Sequence, residues 1–322
     1  MRRRLWLLPL ALTLIFSTLW WYRPGMPAYQ RHLMPTQPAR GDHLSATWLG
    51  VTALLLRDAQ HAILIDPFFT RPPGFLPMLR NARIEPNEAL IQAWLGKLDL
   101  QWLDAVLVSH SHFDHAMDAG VVARLTGAAL AGSQSTLNIG LGAGLSPDRL
   151  HLAAAGEIME FGSFRVQFIQ SEHAGASGGR PTGEIARPLR PPARYLDYKL
   201  GGTYSIMIEH AEGKMLHHGS AGFVPGRLQP FTADIVFLGV SLVDDLQRYL
   251  GQTVDAVSAK RVVPIHWDDF TRPLDRPLKP FPLAVDLNEF FEQVQDTRPA
   301  VWVQTMALNQ PVRLFPPRAS AD

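Results

Sequence analysis

Four side chains that can bind a metal ion follow one another within six positions: His110, His112, Asp114 and His115. Neutral imidazole and carboxylate groups are ligands that zinc, iron and manganese accept. Crowding several of them together is unfavourable unless a cation offsets it. The run therefore predicts a metal site with room for one or two ions. Zinc is the first expectation, and iron or manganese are the alternatives.

The element before this run positions the four side chains. The apolar residues Val106 to Val108 are typical of a strand buried in a sheet, and the polar residues begin where that strand ends. Strand alternation places His110 and His112 on one side, whereas Asp114 and His115 fall in the following turn and can face back toward them. All four therefore leave the carboxyl end of one buried strand together.

The order His-x-His-x-Asp-His directly after a buried strand resembles the signature of the metallo-β-lactamase-fold hydrolases. The resemblance covers about residues 46–315. It implies an α/β fold of four layers, αββα, in which two mixed β-sheets face each other and helices cover their outer sides. It also implies a metal site at one edge of this sandwich.

The resemblance supplies the remaining ligands. The implied sets are His110, His112 and His173 for a first metal site, and Asp114, His115 and His266 for a second. His173 and His266 each follow a predicted strand. Asp66, at the end of the predicted strand Ala62 to Ile65, is implied to support the metal loop from behind, and an ordinary turn carboxylate is the alternative.

Two positions depart from the family pattern. Relatives commonly carry an aspartate that bridges both metals where this chain has Ser220. A neutral hydroxyl is a poor bridge, so we expect a weaker second site unless His218, on the same face as Ser220 by alternation, reaches in. Relatives also often carry a histidine where Val51 stands, so a substrate-contacting imidazole is missing here.

The composition of the chain is typical of a globular catalytic domain and argues against several other kinds of protein. The chain has 322 residues, of which 47% are hydrophobic, and this is enough for one large catalytic domain. Its formal net charge is only +1 and it has no basic stripe with interleaved aromatic residues, so nucleic acid is not an expected partner. Cysteine is absent, which excludes disulfides and thiolate ligands.

The amino terminus predicts a membrane segment. Three arginines, Arg2 to Arg4, precede an uncharged run from Leu5 to Tyr22, which as a helix would be about 27 Å long and close to a bilayer core in thickness. The arginines would hold this anchor in the inner membrane as a single pass, with the catalytic domain on the periplasmic side. A cleaved signal peptide is the alternative, although bulky Trp20 to Tyr22 stand where small residues would be needed.

The predicted organisation has four parts: an anchor or transmembrane helix at 1–25, a linker at 26–45, a catalytic domain at 46–318 and a tail at 319–322. Within the domain, Ala46 to Arg57 is predicted to be extended and Val243 to Ser258 to be a helix. The glycine-rich stretch Asn138 to Gly144 matches no phosphate-binding pattern closely enough to use.

Two stretches without periodicity are predicted to border the site. Phe68 to Pro77 is aromatic and proline-rich, and we expect it to cross the pocket mouth, with Arg71 meeting an anionic substrate group or standing unpaired on the surface. Ala174 to Gly202 is long, carries five basic residues and follows a predicted ligand directly, so we expect a lid. Asp268 and Asp269 are candidate supporting groups or a proton donor, and a solvated acidic turn is the alternative.

The function predicted from these features is a metal-dependent hydrolase. A bound metal would acidify water and polarise a carbonyl or phosphoryl oxygen, and Asp114 could orient that water and accept its proton. The resemblance is nearest to the branch acting on lipid phosphodiesters and lactones, which implies an ester-type bond in a small-molecule or lipid substrate. Two alternatives stay open: an iron-dependent oxidation on the first site alone, and a non-catalytic binding protein with a degenerate site. Substrate-binding residues and oligomeric state are not assigned.

Overall fold

The computed structural model describes residues 11–15, 17–18, 23–37, 41, 43–72, 74–154, 156–175, 178–281 and 284–316. In chain order the strands are β1 (Ser45–Trp48), β2 (Leu54–Arg57), β3 (Ala62–Ile65), β4 (Arg83–Ile84), β5 (Ala105–Leu107), β6 (Ala129–Gly132), β7 (Leu150–Leu152), β8 (Ile158–Phe161), β9 (Phe164–Ser171), β10 (Ala193–Arg194), β11 (Thr203–His210), β12 (Gly213–His218), β13 (Ile235–Gly239), β14 (Arg261–Ile265), β15 (Trp302–Val303) and β16 (Pro311–Arg313). The helices are α1 (Phe75–Leu79), α2 (Glu88–Lys97), α3 (Phe113–Ala116), α4 (Ala119–Thr126), α5 (Gln134–Gly142), α6 (Leu246–Leu250) and α7 (Leu287–Thr297).

Most of the strands form two mixed sheets, as the sequence predicts. The first has the order β16-β1-β2-β3-β5-β6-β7 and the second β15-β14-β13-β12-β11-β9-β8. In each sheet one half is parallel and the other antiparallel. Helices α4 and α5 pack on the first sheet and α7 packs on the second, and one apolar core joins the sheets. The fully buried runs of β3, β5 and β13 fit this arrangement because both of their faces are covered.

The ends of several strands meet at one edge of the sandwich. Asp66 follows β3, the run from His110 follows β5, and His266 follows β14. His173 follows β9 and Ser220 follows β12 in the second sheet. Because the carboxyl ends of parallel strands point the same way, side chains from distant parts of the chain converge here.

Three elements differ from their predictions for local reasons. Residues 46–57 form two strands, because Gly50 (φ 88°) and Val51 (φ 50°) reverse the chain between β1 and β2. The glycine-rich stretch at 138–144 lies largely in α5, which Ser133 caps by accepting a hydrogen bond from Thr136 N at 3.2 Å. The predicted helix at 243–258 begins only after Asp245, the residue that caps α6, and continues as a π-helical turn over Gly251–Asp255.

The segment predicted as a linker packs against the domain instead of crossing the surface. Residues Met26–His32 form a 3-10 helix, and Tyr29 and Met34 lie in the core. Single bridges then join Leu33 to Thr305 and Thr36 to Val312, so the segment borders both sheets.

The predicted membrane segment falls mostly outside the described residues. Within Leu5 to Tyr22, residues 11–15 and 17–18 are described and are helical. None of the helices that the structure describes is both long and apolar enough to cross a membrane. The predicted tail at 319–322 also lies outside the described part of the chain.

Candidate metal centre

The first predicted ligand set comes together after β5 and β9. The potential ligand atoms of His110, His112 and His173 lie within 4.8 Å of one another. Their ring centroids are 4.8 to 4.9 Å apart, and each pair meets edge to face. His110 is almost completely buried, yet its Nε2 has no hydrogen-bond partner among the described residues. A buried lone pair or N–H without a partner is costly, and a metal ion at the centre of the three rings would remove that cost.

The second set adjoins the first. Asp114 and His115 lie on the short helix α3, and His266 follows β14. His115 Nε2 is 3.3 Å from His266 Nε2, and Asp114 Oδ2 is 3.5 Å from His266 Nε2 and 3.7 Å from His115 Nε2. The rings of His110 and His115 are 3.8 Å apart. The six predicted ligands therefore form two neighbouring groups at one edge of the sandwich.

The electrostatics of both groups suit a cation. Burial, followed by the neighbouring imidazoles, lowers the pKa of His110 far below its ordinary value and that of His173 to about 3. Burial alone would raise the pKa of Asp114, but His115 and His266 outweigh it and hold that pKa low. Burial would lower the pKa of His115, but Asp114 and Asp66 outweigh it and raise that pKa. The first group thus offers neutral imidazoles, and the second adds an ionised carboxylate, and these are donor types that zinc, iron or manganese accepts.

Asp66 fixes the orientation of His115. It is fully buried, and its Oδ2 accepts a hydrogen bond from His115 Nδ1 at 2.9 Å. The same carboxylate accepts from Ser109 N at 2.7 Å, from Ser109 Oγ at 2.6 Å and from Thr52 Oγ1 at 2.9 Å. Because a proton of His115 is held on Nδ1, its Nε2 is the ring nitrogen that faces Asp114 and His266 and that would bind a metal ion. The supporting role of Asp66 stays a prediction, and these hydrogen bonds are the contacts through which it would act.

His266 is held by the turn between β1 and β2. It adopts a left-handed backbone conformation (φ 56°), and its N–H donates to Val51 O at 2.7 Å. Val51 N in turn donates to Asp268 Oδ1 at 2.7 Å, and Arg71 Nη1 donates to Asp268 Oδ2, also at 2.7 Å. A side chain at Gly50 would collide with Arg71 Nη2, so the glycine lets the guanidinium approach.

This network corrects two predictions. Arg71 and Asp268 are fully buried as an ion pair, so Arg71 is neither at the pocket mouth nor unpaired, and Asp268 is not in a solvated turn. Asp269 is buried as well, and its Oδ2 accepts from Arg23 Nη1 at 3.0 Å. Sequence reasoning missed the pairing because Arg71 and Asp268 are 197 positions apart and nothing local to either residue points to the other.

Ser220 and His218 do not join the ligands. Ser220 Oγ accepts a hydrogen bond from Ala174 N at 3.0 Å, so it braces the chain just after His173. His218 Nε2 donates to Gly222 O at 2.8 Å, and its Nδ1 lies 2.7 Å from Ser205 Oγ. The suggestion that His218 reaches into the second site is therefore wrong.

Hydrogen bonds to the metal loop and to helix α5 hold the segment predicted to be a lid, residues 174–202. His112 Nε2 donates to Pro181 O at 3.3 Å, and Ser111 N donates to Leu200 O at 3.0 Å. Helix α5 holds the middle of the segment, because Ile185 N donates to Ser135 Oγ at 2.8 Å and Asn138 Nδ2 donates to Ile185 O at 2.6 Å. Residues 178–202 thus form a fixed wall. A cavity of about 540 Å³ opens beside it, lined by Gln170, His173, Gly179, Leu200 and Tyr204 among others.

Aromatic side chains form a wall beside the second ligand group. Phe113 precedes Asp114, and its ring lies 4.8 Å from Tyr195, 5.8 Å from Phe68 and 6.1 Å from Phe270. Phe270 also meets the ring of His266 at 6.3 Å. Phe113 and Phe270 are partly exposed and are candidates for the substrate contacts that the sequence left unassigned, whereas Phe68 and Tyr195 are buried behind them.

Comparisons with known proteins agree with this geometry. A family model described as the metallo-beta-lactamase superfamily matches residues 46–239. A UPF0173 metal-dependent hydrolase of Carboxydothermus hydrogenoformans is 25% identical over 272 residues, which are 83% of this chain and 97% of that protein. Another, of Agrobacterium fabrum, is 27% identical over 178 residues, which are 54% of this chain and 62% of that protein. Among solved structures, the metallo hydrolase Igni18 of Ignicoccus hospitalis shares the fold, with a TM-score of 0.56 and 17% identity over 85% of this chain and 99% of that one.

Proposed function

Because the chain belongs to the metallo-β-lactamase superfamily and is a metal-dependent hydrolase, we propose that it cleaves an ester-type bond, such as a phosphodiester or a lactone. The main observation behind the proposal is that two groups of three ligands adjoin at one edge of the sandwich, and that the ionised Asp114 directly follows Phe113 of the aromatic wall. That arrangement suits attack by water on the carbon or phosphorus atom whose oxygen a bound metal ion would polarise. The alternative of a non-catalytic binding protein has no support from the relatives, which are named as hydrolases.

His110, His112 and His173 would hold one metal ion, and Asp114, His115 and His266 would hold another. A bound ion supplies what side chains cannot, namely acidification of water and polarisation of the scissile bond. Asp114 Oδ2 then orients the attacking water and receives its proton, since the carboxylate is ionised at neutral pH. Zinc is the proposed metal, and iron or manganese would fit the same donors.

We propose that the two groups differ in strength. No carboxylate bridges them within the described residues, because Ser220 is neutral and its Oγ is engaged with Ala174 N. The first group has three neutral imidazoles without a competing charge, so its ion should be retained. The second should lose its ion on dialysis.

The test combines elemental analysis with a substrate panel. After dialysis without chelator, wild type should keep about one ion per chain, and Ser220→Asp should keep close to two, whereas Ser220→Ala should behave like wild type. The metal-loaded protein should hydrolyse a phosphodiester, a lactone or a simple ester. Two ions in wild type would contradict the difference between the groups, and an inactive metal-loaded protein on all three substrate types would contradict the reaction.

We also propose that the chain is exported and held at the inner membrane by its amino terminus. The basic start and the apolar run from Leu5 to Tyr22 support this. A reporter fused after Asp322 should be active only on the periplasmic side. Activity in the cytoplasm would contradict export, and a mature protein beginning beyond Trp21 would show cleavage instead of anchoring.

A further inference from the structure

Exposed apolar side chains gather on one face next to the metal centre. Helix α1 buries none of its side chains, and Phe75, Leu76 and Leu79 are 39%, 53% and 66% exposed. Leu196, 53% exposed, joins them from the other predicted border of the pocket. A single exposed leucine is ordinary, but a group of large apolar side chains on one face marks a surface that contacts something apolar.

Hydrogen bonds hold the two parts of this face together. Leu196 N donates to Asn81 Oδ1 at 3.0 Å, and Arg194 Nη1 donates to Asn81 O at 3.0 Å. Strands β4 and β10 pair directly beside them. The face is therefore a fixed part of the fold. We call it the α1 face, and it consists of Phe75, Leu76, Leu79, Leu196 and the arginines Arg80, Arg83 and Arg194.

The charge around the apolar side chains is positive. Residues 74–85 and 178–202 together carry seven basic and three acidic side chains, so the field at this face favours anions. Arg80, Arg83 and Arg194 are exposed, and none of them makes an ion pair with a carboxylate within the described ranges. Guanidinium groups bind phosphate oxygens well, and apolar residues ringed by arginine are typical of surfaces that settle into the headgroup region of a bilayer.

The α1 face shares one end of the molecule with the metal centre and with the entry of the amino-terminal chain. Tyr195, next to Leu196, packs on Phe113 of the site wall at 4.8 Å. Gly74 N donates to Thr271 O, in the loop whose Asp269 binds Arg23. The described residues before Arg23 include the exposed Leu12, Leu14 and Ile15. Arg23 is therefore held on the loop that also contacts the start of the α1 face.

From these contacts we propose that the α1 face docks on an anionic phospholipid bilayer, with the metal centre at its edge and the apolar amino-terminal residues in the same membrane. The inference goes beyond the proposed reaction, because a docked face would serve whichever ester-type bond is cleaved. A lipid surface is the proposed partner because it would cover the apolar side chains and offer phosphate groups to the arginines, which make no ion pair with a carboxylate among the described residues.

The test uses the absence of cysteine from the chain, which allows one labelled position at a time. Leu79→Cys places a polarity-sensitive fluorophore on the α1 face, and Trp302→Cys, also at a 66% exposed apolar residue, is the matched control on β15. The full chain is reconstituted into vesicles of phosphatidylcholine with phosphatidylglycerol, and into phosphatidylcholine alone. A lipid-borne quencher then reports contact. Quenching and a blue shift at position 79 but not at 302, stronger in the anionic vesicles, are expected.

The charge requirement is tested with Arg80→Gln in the Leu79→Cys background, because the Arg80 side chain makes no hydrogen bond in the described part of the chain and can be changed without removing one. The ratio of docked to undocked face in anionic vesicles should fall roughly fivefold. Equal quenching at both positions, no quenching at either, or equal quenching in neutral and anionic vesicles would overturn the proposal. So would a blue shift at position 79 that depends on protein concentration and not on lipid, which would identify a second copy of the chain as the partner.

Discussion

His110 and His218 are equally buried, and each lies at or just after the end of a central strand, yet their ring nitrogens meet different surroundings. Nε2 of His110 has no hydrogen-bond partner within the described residues and faces other imidazoles. Both nitrogens of His218 are satisfied, by Ser205 Oγ and by Gly222 O. Burial at a strand end therefore does not make a histidine a ligand. The distinguishing feature is a set of ring nitrogens from three histidines that converge on one point, where Nε2 of His110 is left without a partner in the described part of the chain.

The largest difference between the surroundings of His110 and those of His218 should appear in metal content and activity when each histidine is replaced in turn. His110→Ala should abolish retention of the first ion and lower kcat/KM by about a thousandfold or more, since a metal contributes several kcal/mol to the transition state. His218→Gln keeps an amide that can donate to Gly222 O and accept from Ser205, so metal content and kcat/KM should stay near wild type. Elemental analysis and kinetics on folded protein measure both. A comparable loss of metal in both variants would contradict the conclusion that His110 is a ligand and His218 is not.

A smaller effect should appear in acid. Burial, the leading cause, lowers the pKa of His218 to about 4. An unfolded chain would bind a proton at this residue below about pH 6.5, whereas the folded chain would not until about pH 4, so the free energy of unfolding should fall as the pH drops from 6.5 to 4. The loss assigned to His218 is about 3 kcal/mol.

Urea unfolding of wild type and His218→Gln over this pH range isolates the contribution. The ligand histidines also titrate, but they are common to both proteins and cancel in the difference. The variant should show the shallower pH dependence by about one proton. Parallel curves would mean that His218 is not held neutral by its surroundings.

The smallest of the three effects concerns the residues that hydrogen-bond to the histidine rings, namely Asp66 at His115 and Ser205 at His218. Asp66→Asn removes the charge that holds the proton of His115 on Nδ1, and metal affinity or activity should fall about 10- to 100-fold. Ser205→Ala is the matched change behind His218. It should cost about 1 kcal/mol of stability and leave metal content unchanged. Isothermal titration with zinc and urea unfolding report the two quantities, and unchanged affinity in Asp66→Asn would contradict the positioning role.

The sequence predicts contacts between residues that are close along the chain, but not contacts between residues that are far apart along it. The run from His110 to His115 could be read because strand alternation and the following turn bring its four side chains together within a few residues. Strand alternation gave a wrong prediction for His218, because alternation decides only which side of the strand the ring lies on. It says nothing about the partners of the ring, and Ser205 and Gly222 occupy both ring nitrogens. His173 and His266 needed the family resemblance, since no local pattern joins them to β5.

The surroundings of the site were the least predictable part. The link from Arg71 through Asp268 and Val51 to His266 spans both sheets, and each member looks ordinary in its own stretch of sequence. The irregular composition of residues 174–202 suggested a lid, but helix α5 fastens the segment through side chains that carry no sequence signal of their own. Tertiary contacts of this kind are set by the whole fold.

The convergence of ligands from both sheets has a consequence for the unfolded chain. His110 follows β5 of the first sheet and His173 follows β9 of the second, 63 positions later, so the ion that the first group should retain closes a loop of that length. A covalent tie across so long a loop removes roughly 4 to 5 kcal/mol of conformational entropy from the unfolded state. This chain has no cysteine with which to make one. A metal shared between the two sheets would take the place of the missing disulfide.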